Sequence, residues 1–231
     1  FTQNFTTATQ NYNVAVGYET GGAITSGIRN VLVGGLSGDA LTVGDDNIAI
    51  GTIALSSDTK GSNSVAVGHQ ALATQNFTTA TDVYNVAMGY NAGVSVTIGT
   101  QNTLVGGLVA DALTEGGNNA AFGQGALGSD TKGSHSTALG SFALATQNFT
   151  SATDTLNTAV GYAAGELMTT GVSNTLIGAL AGDALTDADF NVAVGHNALS
   201  TDRKGNKSTA IGRSALATQN FGTSQDALIR L

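Results

Sequence analysis

A five-residue pattern recurs along the whole chain and strongly limits the folds that the chain can adopt. It reads Asn or Ser, a variable residue, Ala or Leu, a large apolar residue, and Gly, and it occurs twelve times in 231 residues. The intervals are 17, 17, 17 and then 21 residues, which together make a 72-residue unit. Self-similarity at a fixed period is the signature of a repeat architecture.

The repeat divides the chain into consecutive units of one continuous solenoid domain. Three full units are expected, and the residues before them match the end of a preceding unit. The last three residues form a C-terminal tail or the start of a stalk. The expected boundaries are 1–12, 13–84, 85–156, 157–228 and 229–231.

A period of 17 residues is too short for a helical repeat, because two-helix repeats take roughly 30 residues or more. It accommodates two short strands and two turns, and Gly, Asn, Asp and Ser between the motifs are turn residues. The pattern therefore predicts an all-β fold, a parallel β-solenoid (β-roll) of 17/17/17/21-residue coils spaced about 4.8 Å apart. The four extra residues of every fourth coil predict a loop that recurs on one face.

Asparagine opens nine of the twelve motifs. Asn side chains stacked in one column of a parallel β-structure form hydrogen-bonded ladders. We therefore expect these residues to bond from coil to coil: Asn13, Asn30, Asn47, Asn85, Asn102, Asn119, Asn157, Asn174 and Asn191.

The predicted motif strand is apolar on both of its faces. Val14 and Val16 share one face and Ala15 takes the other, because side chains alternate along a strand. A strand that is apolar on both faces is typical of burial on both sides. A single thin roll covers one face, so we expect other copies of the chain to cover the second in a closed cyclic oligomer. The residues assigned to that interface precede the motif glycines: Val16, Val33, Ile50, Val67, Met88, Val105, Phe122, Leu139, Val160, Ile177, Val194 and Ile211.

Composition argues against several classes of function. The net charge is −8, from 8 Lys+Arg and 16 Asp+Glu, whereas a nucleic-acid partner requires a basic surface. The apolar stretches fall well short of the ~20 residues that span a bilayer, so no membrane insertion by this segment is expected. The absence of Cys excludes disulfides and thiolate zinc sites.

Residues that often carry chemistry do not form a recurring catalytic set. His69, His135 and His196 occupy different positions of the repeat. Asp39 and Asp58 do recur, and a Ca²⁺ ladder is one interpretation, but stabilisation of turns fits a single Asp per turn better. We expect no enzymatic activity, no cofactor and no metal site. The copies of the two aspartates are Asp111, Asp183, Asp130 and Asp202.

The motifs 13–17, 47–51 and 64–68 resemble the head repeats of YadA-like trimeric autotransporter adhesins, and the resemblance covers nearly all of the chain. It implies a homotrimer of left-handed parallel β-rolls. Similar repeats occur in trimeric bacteriophage tail fibres. The chain departs from the adhesin pattern in its longer coils, and it contains no neck, coiled-coil stalk or anchor barrel. The segment after Ser224 is expected to begin a stalk helix, with Ser224 as N-cap, or to be a truncated turn.

Three functions fit this repeat, and all are extracellular, on a cell surface or on a virion. The first is a structural and adhesive segment of a trimeric fibre that binds surface, matrix or glycan ligands multivalently. The second is a shaft segment of a phage tail fibre, and the third is a self-assembling extracellular filament. The partner surface is expected in the long loop and at the tyrosines. Lateral packing between coils is an equally good interpretation of the tyrosines, and Phe77 and Phe149 are also expected to anchor the long loop. The residues of the expected partner surface are Gln75, Asn76, Phe77, Thr78, Thr79, Gln147, Asn148, Phe149, Thr150, Tyr18, Tyr90 and Tyr162.

Overall fold

A computed structural model describes residues 10–226 of the chain. Its contacts divide the chain into two compact units, Phe1–Glu115 and Gly116–Leu231. Within residues 10–226 there is no helix, and each unit is a parallel β-solenoid, which confirms the predicted fold class. The tail at 229–231 and most of the expected preceding unit at 1–12 lie outside the described residues.

In the first unit every coil contributes one three-residue strand to a parallel ladder of order β1-β2-β3-β5-β7-β8. A short second pair joins β4 to β6. In the main ladder, paired residues are 17 positions apart, as Val14 and Val31 are, or 21 positions apart where β5 meets β7. The strands are β1 (Val14–Val16), β2 (Val31–Val33), β3 (Ile48–Ile50), β4 (Gly61–Ser62), β5 (Val65–Val67), β6 (Thr81–Asp82), β7 (Val86–Met88) and β8 (Thr103–Val105).

The second unit repeats this arrangement, with a ladder of order β9-β11-β13-β14-β15-β17 and short pairs β10-β12 and β16-β18. Gln225–Asp226 forms strand β18, so a helix does not begin directly after Ser224; residues from 227 onward lie outside the described part. The strands are β9 (Ala120–Phe122), β10 (Gly133–Ser134), β11 (Thr137–Leu139), β12 (Thr153–Asp154), β13 (Thr158–Val160), β14 (Thr175–Ile177), β15 (Val192–Val194), β16 (Gly205–Asn206), β17 (Thr209–Ile211) and β18 (Gln225–Asp226).

A second strand is present in only some of the coils. Only the third and fourth coils of each 72-residue repeat carry a second, two-residue strand. Elsewhere the return path is a series of turns, in which residues such as Glu19 and Leu36 have φ values of 50° and 57°. A residue in the left-handed region does not continue a strand, so the ladder forms only at the motif.

The core of each unit lies inside the coils. The central motif residue is fully buried in most coils, as at Leu32, Ala49 and Ala66. Large apolar side chains from the return path pack on these residues and are also completely buried. The latter are Ile24, Leu41, Leu55, Leu72 and Leu113 in the first unit and Leu127, Leu144, Met168 and Leu185 in the second.

The predicted asparagine ladder is confirmed. Asn30 Oδ1 accepts a bond from the backbone N–H of Asn47 at 2.9 Å, and Asn30 Nδ2 donates to the carbonyl of Gly44 at 2.9 Å. The same pair of bonds is made by Asn174, to the Asn191 N–H and the Ala188 carbonyl. Each amide thereby satisfies backbone groups of the next coil that the short strands leave unpaired.

Candidate partner surface and interface

The long loop of the fourth coil is only partly a surface. Gln75 and its copy Gln147 are fully buried, and Phe77 and Phe149 are buried as well. The prediction that these four residues contact a partner is therefore corrected, because their side chains point into the solenoid. The burial of Phe77 and Phe149 bears out the other interpretation of these two residues, as anchors of the loop.

Gln75 is buried because it repairs a gap in the asparagine ladder. The fourth coil begins with Ser64, whose side chain is too short to reach the next coil. Gln75 Nε2 donates to Ser64 Oγ at 3.0 Å, and Gln75 Oε1 accepts from Asn85 Nδ2 at 2.9 Å. Gln147 makes the same two contacts with Ser136 and Asn157.

The same network includes a buried carboxylate, Asp58. Its Oδ1 accepts bonds from the N–H groups of Gly61 at 2.9 Å and Phe77 at 3.1 Å, and its Oδ2 accepts one from Gln75 Nε2 at 2.6 Å. These bonds bear out the interpretation of this aspartate as a turn-stabilising residue. Asp130 and Asp202 repeat the arrangement.

The remaining residues of the predicted loop surface are exposed: Asn76, Thr78 and Thr79 in one copy, and Asn148 and Thr150 in the next. Asn76 Oδ1 accepts a bond from Thr59 Oγ1 at 3.1 Å, so its position is fixed by the preceding coil. This smaller set is what the loop presents to solvent.

The three tyrosines of the first coil type are exposed, Tyr18 by 72% and Tyr90 and Tyr162 by 58% each. They also pack laterally. The Tyr90 ring stacks on His69, with centroids 5.5 Å apart and an interplanar angle of 11°. Phe142 meets the edge of Tyr162 at 6.4 Å. Lateral packing and a solvent-facing ring surface are therefore both present.

The residues assigned to the interface lie on the outward face of the ladder. We call this face, made by the first and third residues of each motif strand, the outer strand face. Val16 is 58% exposed, and Ile50, Met88, Phe122, Ile177 and Ile211 are exposed too. The others are half-buried: Val33, Val67, Val105, Leu139, Val160 and Val194.

The return path carries a threonine ladder that the sequence patterns described above do not predict. Thr25 Oγ1 donates to the Thr42 carbonyl at 3.1 Å, and Thr42 Oγ1 donates to the Thr59 carbonyl at 2.8 Å. The signal was available, because each of these threonines stands eight residues after a motif glycine. Since the hydroxyl groups bond to backbone, this column stabilises the turn.

The recurring aspartates of the second coil type sit in a partly buried environment. Burial raises the pKa of Asp39, Asp111 and Asp183, and for Asp183 the nearby Glu166 carboxylate adds to the effect. Asp39 Oδ1 and Asp183 Oδ1 are buried without a hydrogen-bond partner. Within residues 10–226, however, no group of three or more His, Asp or Glu side chains is placed to hold a metal ion.

Replacement of Asp183 by Asn is expected to stabilise the fold at pH 7. The folded-state pKa lies above the ordinary 3.8, so ionisation costs more in the folded than in the unfolded chain. Wild-type stability therefore falls as pH rises from 3.8 through the raised pKa of Asp183, and the advantage of the variant disappears as pH drops below 3.8. Urea unfolding at pH 7 and at pH 3.5 measures the free energy of unfolding of variant and wild type. Asp82→Asn, which removes an exposed charge, is the control, and an equal gain there would contradict the argument.

Comparison with protein-family models, with curated proteins and with solved structures finds no match to this chain. The described part of the chain contains no helix that could cross a bilayer.

Proposed function

We propose that the chain is a structural and adhesive segment of a homotrimeric extracellular fibre, located on a cell surface or a virion. The observation that carries this proposal is the outer strand face. It is a row of Val, Ile, Met and Phe side chains that the single chain leaves exposed or half-buried. Large exposed apolar patches mark interaction sites. Because within each unit every coil contributes to the row, a second copy with the same repeat is the partner that matches it coil by coil.

Adhesion on this proposal comes from repetition. The exposed tyrosines recur every 72 residues and the exposed Thr78 of the loop recurs as Thr150, and three chains multiply them again. Weak single contacts then add up, since linked sites bind more tightly than one site by a factor of about 10²–10⁴. The ligand is expected to be a repeating surface, matrix or glycan.

Light scattering on a size-exclusion column tests the assembly. One chain has a mass of 23.0 kDa, so a trimer is expected near about 69 kDa. The variant V16D/V67D/V160D puts three carboxylates on the outer strand face and is expected to dissociate the trimer, because an unpaired charge is costly to bury. A trimeric triple variant would show that another surface forms the interface, and a monomeric wild type would overturn the proposal.

Ile98→Asp provides a matched control. Ile98 is 55% exposed and lies outside the motif strands, so the substitution adds one carboxylate at an apolar surface residue away from the outer strand face, and Val16→Asp alone is the single-charge variant to compare with it. It is expected to leave the trimer intact. Circular dichroism on all variants separates loss of assembly from loss of fold.

The buried loop favours a second candidate, the shaft of a phage tail fibre that serves as a spacer. Gln75 and Phe77 are unavailable to a ligand, which removes the centre of the expected loop surface. On this alternative the repeat supplies length, and adhesion to any surface is absent. Surface-plasmon resonance on immobilised cell-surface polysaccharide and on collagen distinguishes the two candidate functions. Binding supports the adhesive segment, and a trimer without binding supports the spacer.

A further inference from the structure

The residues that directly follow the motif glycines form a column along the first unit: Tyr18, Gly35, Thr52, His69, Tyr90 and Gly107. Backbone bonds between neighbouring coils hold the column together. The Leu36 N–H donates to the Tyr18 carbonyl at 2.8 Å, and the Leu108 N–H donates to the Tyr90 carbonyl at 2.9 Å. Each member therefore lies one coil, about 4.8 Å, from the next.

The orientation of the Tyr90 ring follows from its stack on His69. His69 precedes Tyr90 in the column, and the two rings are nearly parallel. His69 therefore covers one face of the Tyr90 ring from the preceding coil. The next coil has Gly107 at this position, and a Cβ added there would meet no atom within 4 Å. Because Tyr90 is also 58% exposed, no side chain of the column covers the second face of its ring.

A small residue also follows each of the other two tyrosines one coil later. Tyr18 is followed by Gly35, where an added Cβ also meets nothing within 4 Å. In the second unit Tyr162, whose ring meets Phe142 in a T-shaped contact, is followed by Ala179. We call the spaces beside these three tyrosines the tyrosine slots. In the first slot the next side chain of the column is Thr52, two coils or about 10 Å from Tyr18, so one flat ring fits between them.

We propose that each tyrosine slot binds one ring of a neutral polysaccharide. The face of an aromatic ring is electron-rich and attracts the polarised C–H groups on the flat side of a pyranose. Polar groups suited to sugar hydroxyls stand at the far side, namely Thr52 in the first slot and His196 in the third, both exposed. The net charge of −8 disfavours an acidic glycan. This inference rests on the proposed adhesive function, whose ligand class it names.

Filling the slots tests the proposal without removing the tyrosines. The variant G35H/G107H/A179H places in each slot the ring type that already stacks on the other face of Tyr90. Open space at Gly35 and Gly107 makes the substitutions compatible with the fold. Tyr84→Ala is the control, since Tyr84 is 54% exposed but belongs to another column. The probes are methyl β-D-glucopyranoside and methyl β-D-galactopyranoside in saturation-transfer NMR, and dextran and agarose beads for retention of the protein.

We expect wild type and Tyr84→Ala to bind at least one neutral probe, and the slot-filled variant to bind about tenfold more weakly or not at all, as loss of a stacking contact predicts. Y18A/Y90A/Y162A should behave like the slot-filled variant. Binding that survives slot filling, or no binding to any of the neutral probes, overturns the inference. Loss of the trimer on slot filling also overturns it, because the slots then belong to the interface. A monomeric wild type that still binds the monosaccharides would instead overturn the proposed function and leave the slots intact.

Discussion

Gly51→Ala is expected to lower the free energy of unfolding by about 3–5 kcal/mol, because it combines backbone strain with a steric clash in the core. Gly51 has a φ of +138°, a region that L-residues rarely adopt, and an added Cβ would lie 2.3 Å from the carbonyl oxygen of Gly68 in the next coil. The carbonyl cannot move away freely, because the stacking of the coils holds it. Urea unfolding followed by circular dichroism, at one fixed protein concentration, measures the loss.

Gly35→Ala is the matched control for this prediction. Gly35 is next to a motif glycine, yet an added Cβ there meets no atom within 4 Å and its φ lies outside the left-handed region. The change is expected to be neutral or slightly stabilising, since Ala reduces the freedom of the unfolded chain. If both substitutions changed the free energy of unfolding equally, the close contact between successive motif glycines would not be the reason that Gly51 must be glycine.

The positions of the long strands could be predicted from sequence because one physical constraint recurs in every coil. A parallel ladder demands equal spacing, so the 17-residue interval from Val14 to Val31 indicates their pairing directly. Strand alternation then assigns Ala49 to the inside and Ile50 to the outside, as the structure has them. Periodicity and alternation together suffice for the ladder, the core column and the outer strand face.

The burial of Gln75 in the long loop could not be predicted in the same way. Gln75 reads as a polar loop residue, and nothing in its local spacing distinguishes an exposed loop from a buried one. Its burial depends on a carboxylate 17 residues earlier, Asp58, and on the short side chain of Ser64. Such a polar network is a property of three neighbouring coils, and a one-coil pattern does not contain it.

Asp58→Ala is expected to cost about 3–4 kcal/mol, because it leaves several buried donors without acceptors. The N–H groups of Gly61 and Phe77 and the side-chain amide of Gln75 all donate to this carboxylate. Asp58 is fully buried, so water does not replace it without entering the core. The loss should also release the loop that Phe77 anchors. Urea unfolding gives the cost, and amide hydrogen exchange at Phe77 reports the loop.

Asp82→Ala tests whether the effect belongs to the network or to any aspartate of this region. Asp82 lies in β6, is exposed, and accepts one side-chain bond, from Asn63 Nδ2 at 3.0 Å. Water replaces that bond at the surface, so a loss below about 1 kcal/mol is expected. If Asp58→Ala proved as mild as Asp82→Ala, Gln75 would have to find another partner inside the coil. The anchored loop would then owe its position to Phe77 alone, and Phe77→Ala would release it in the wild-type background.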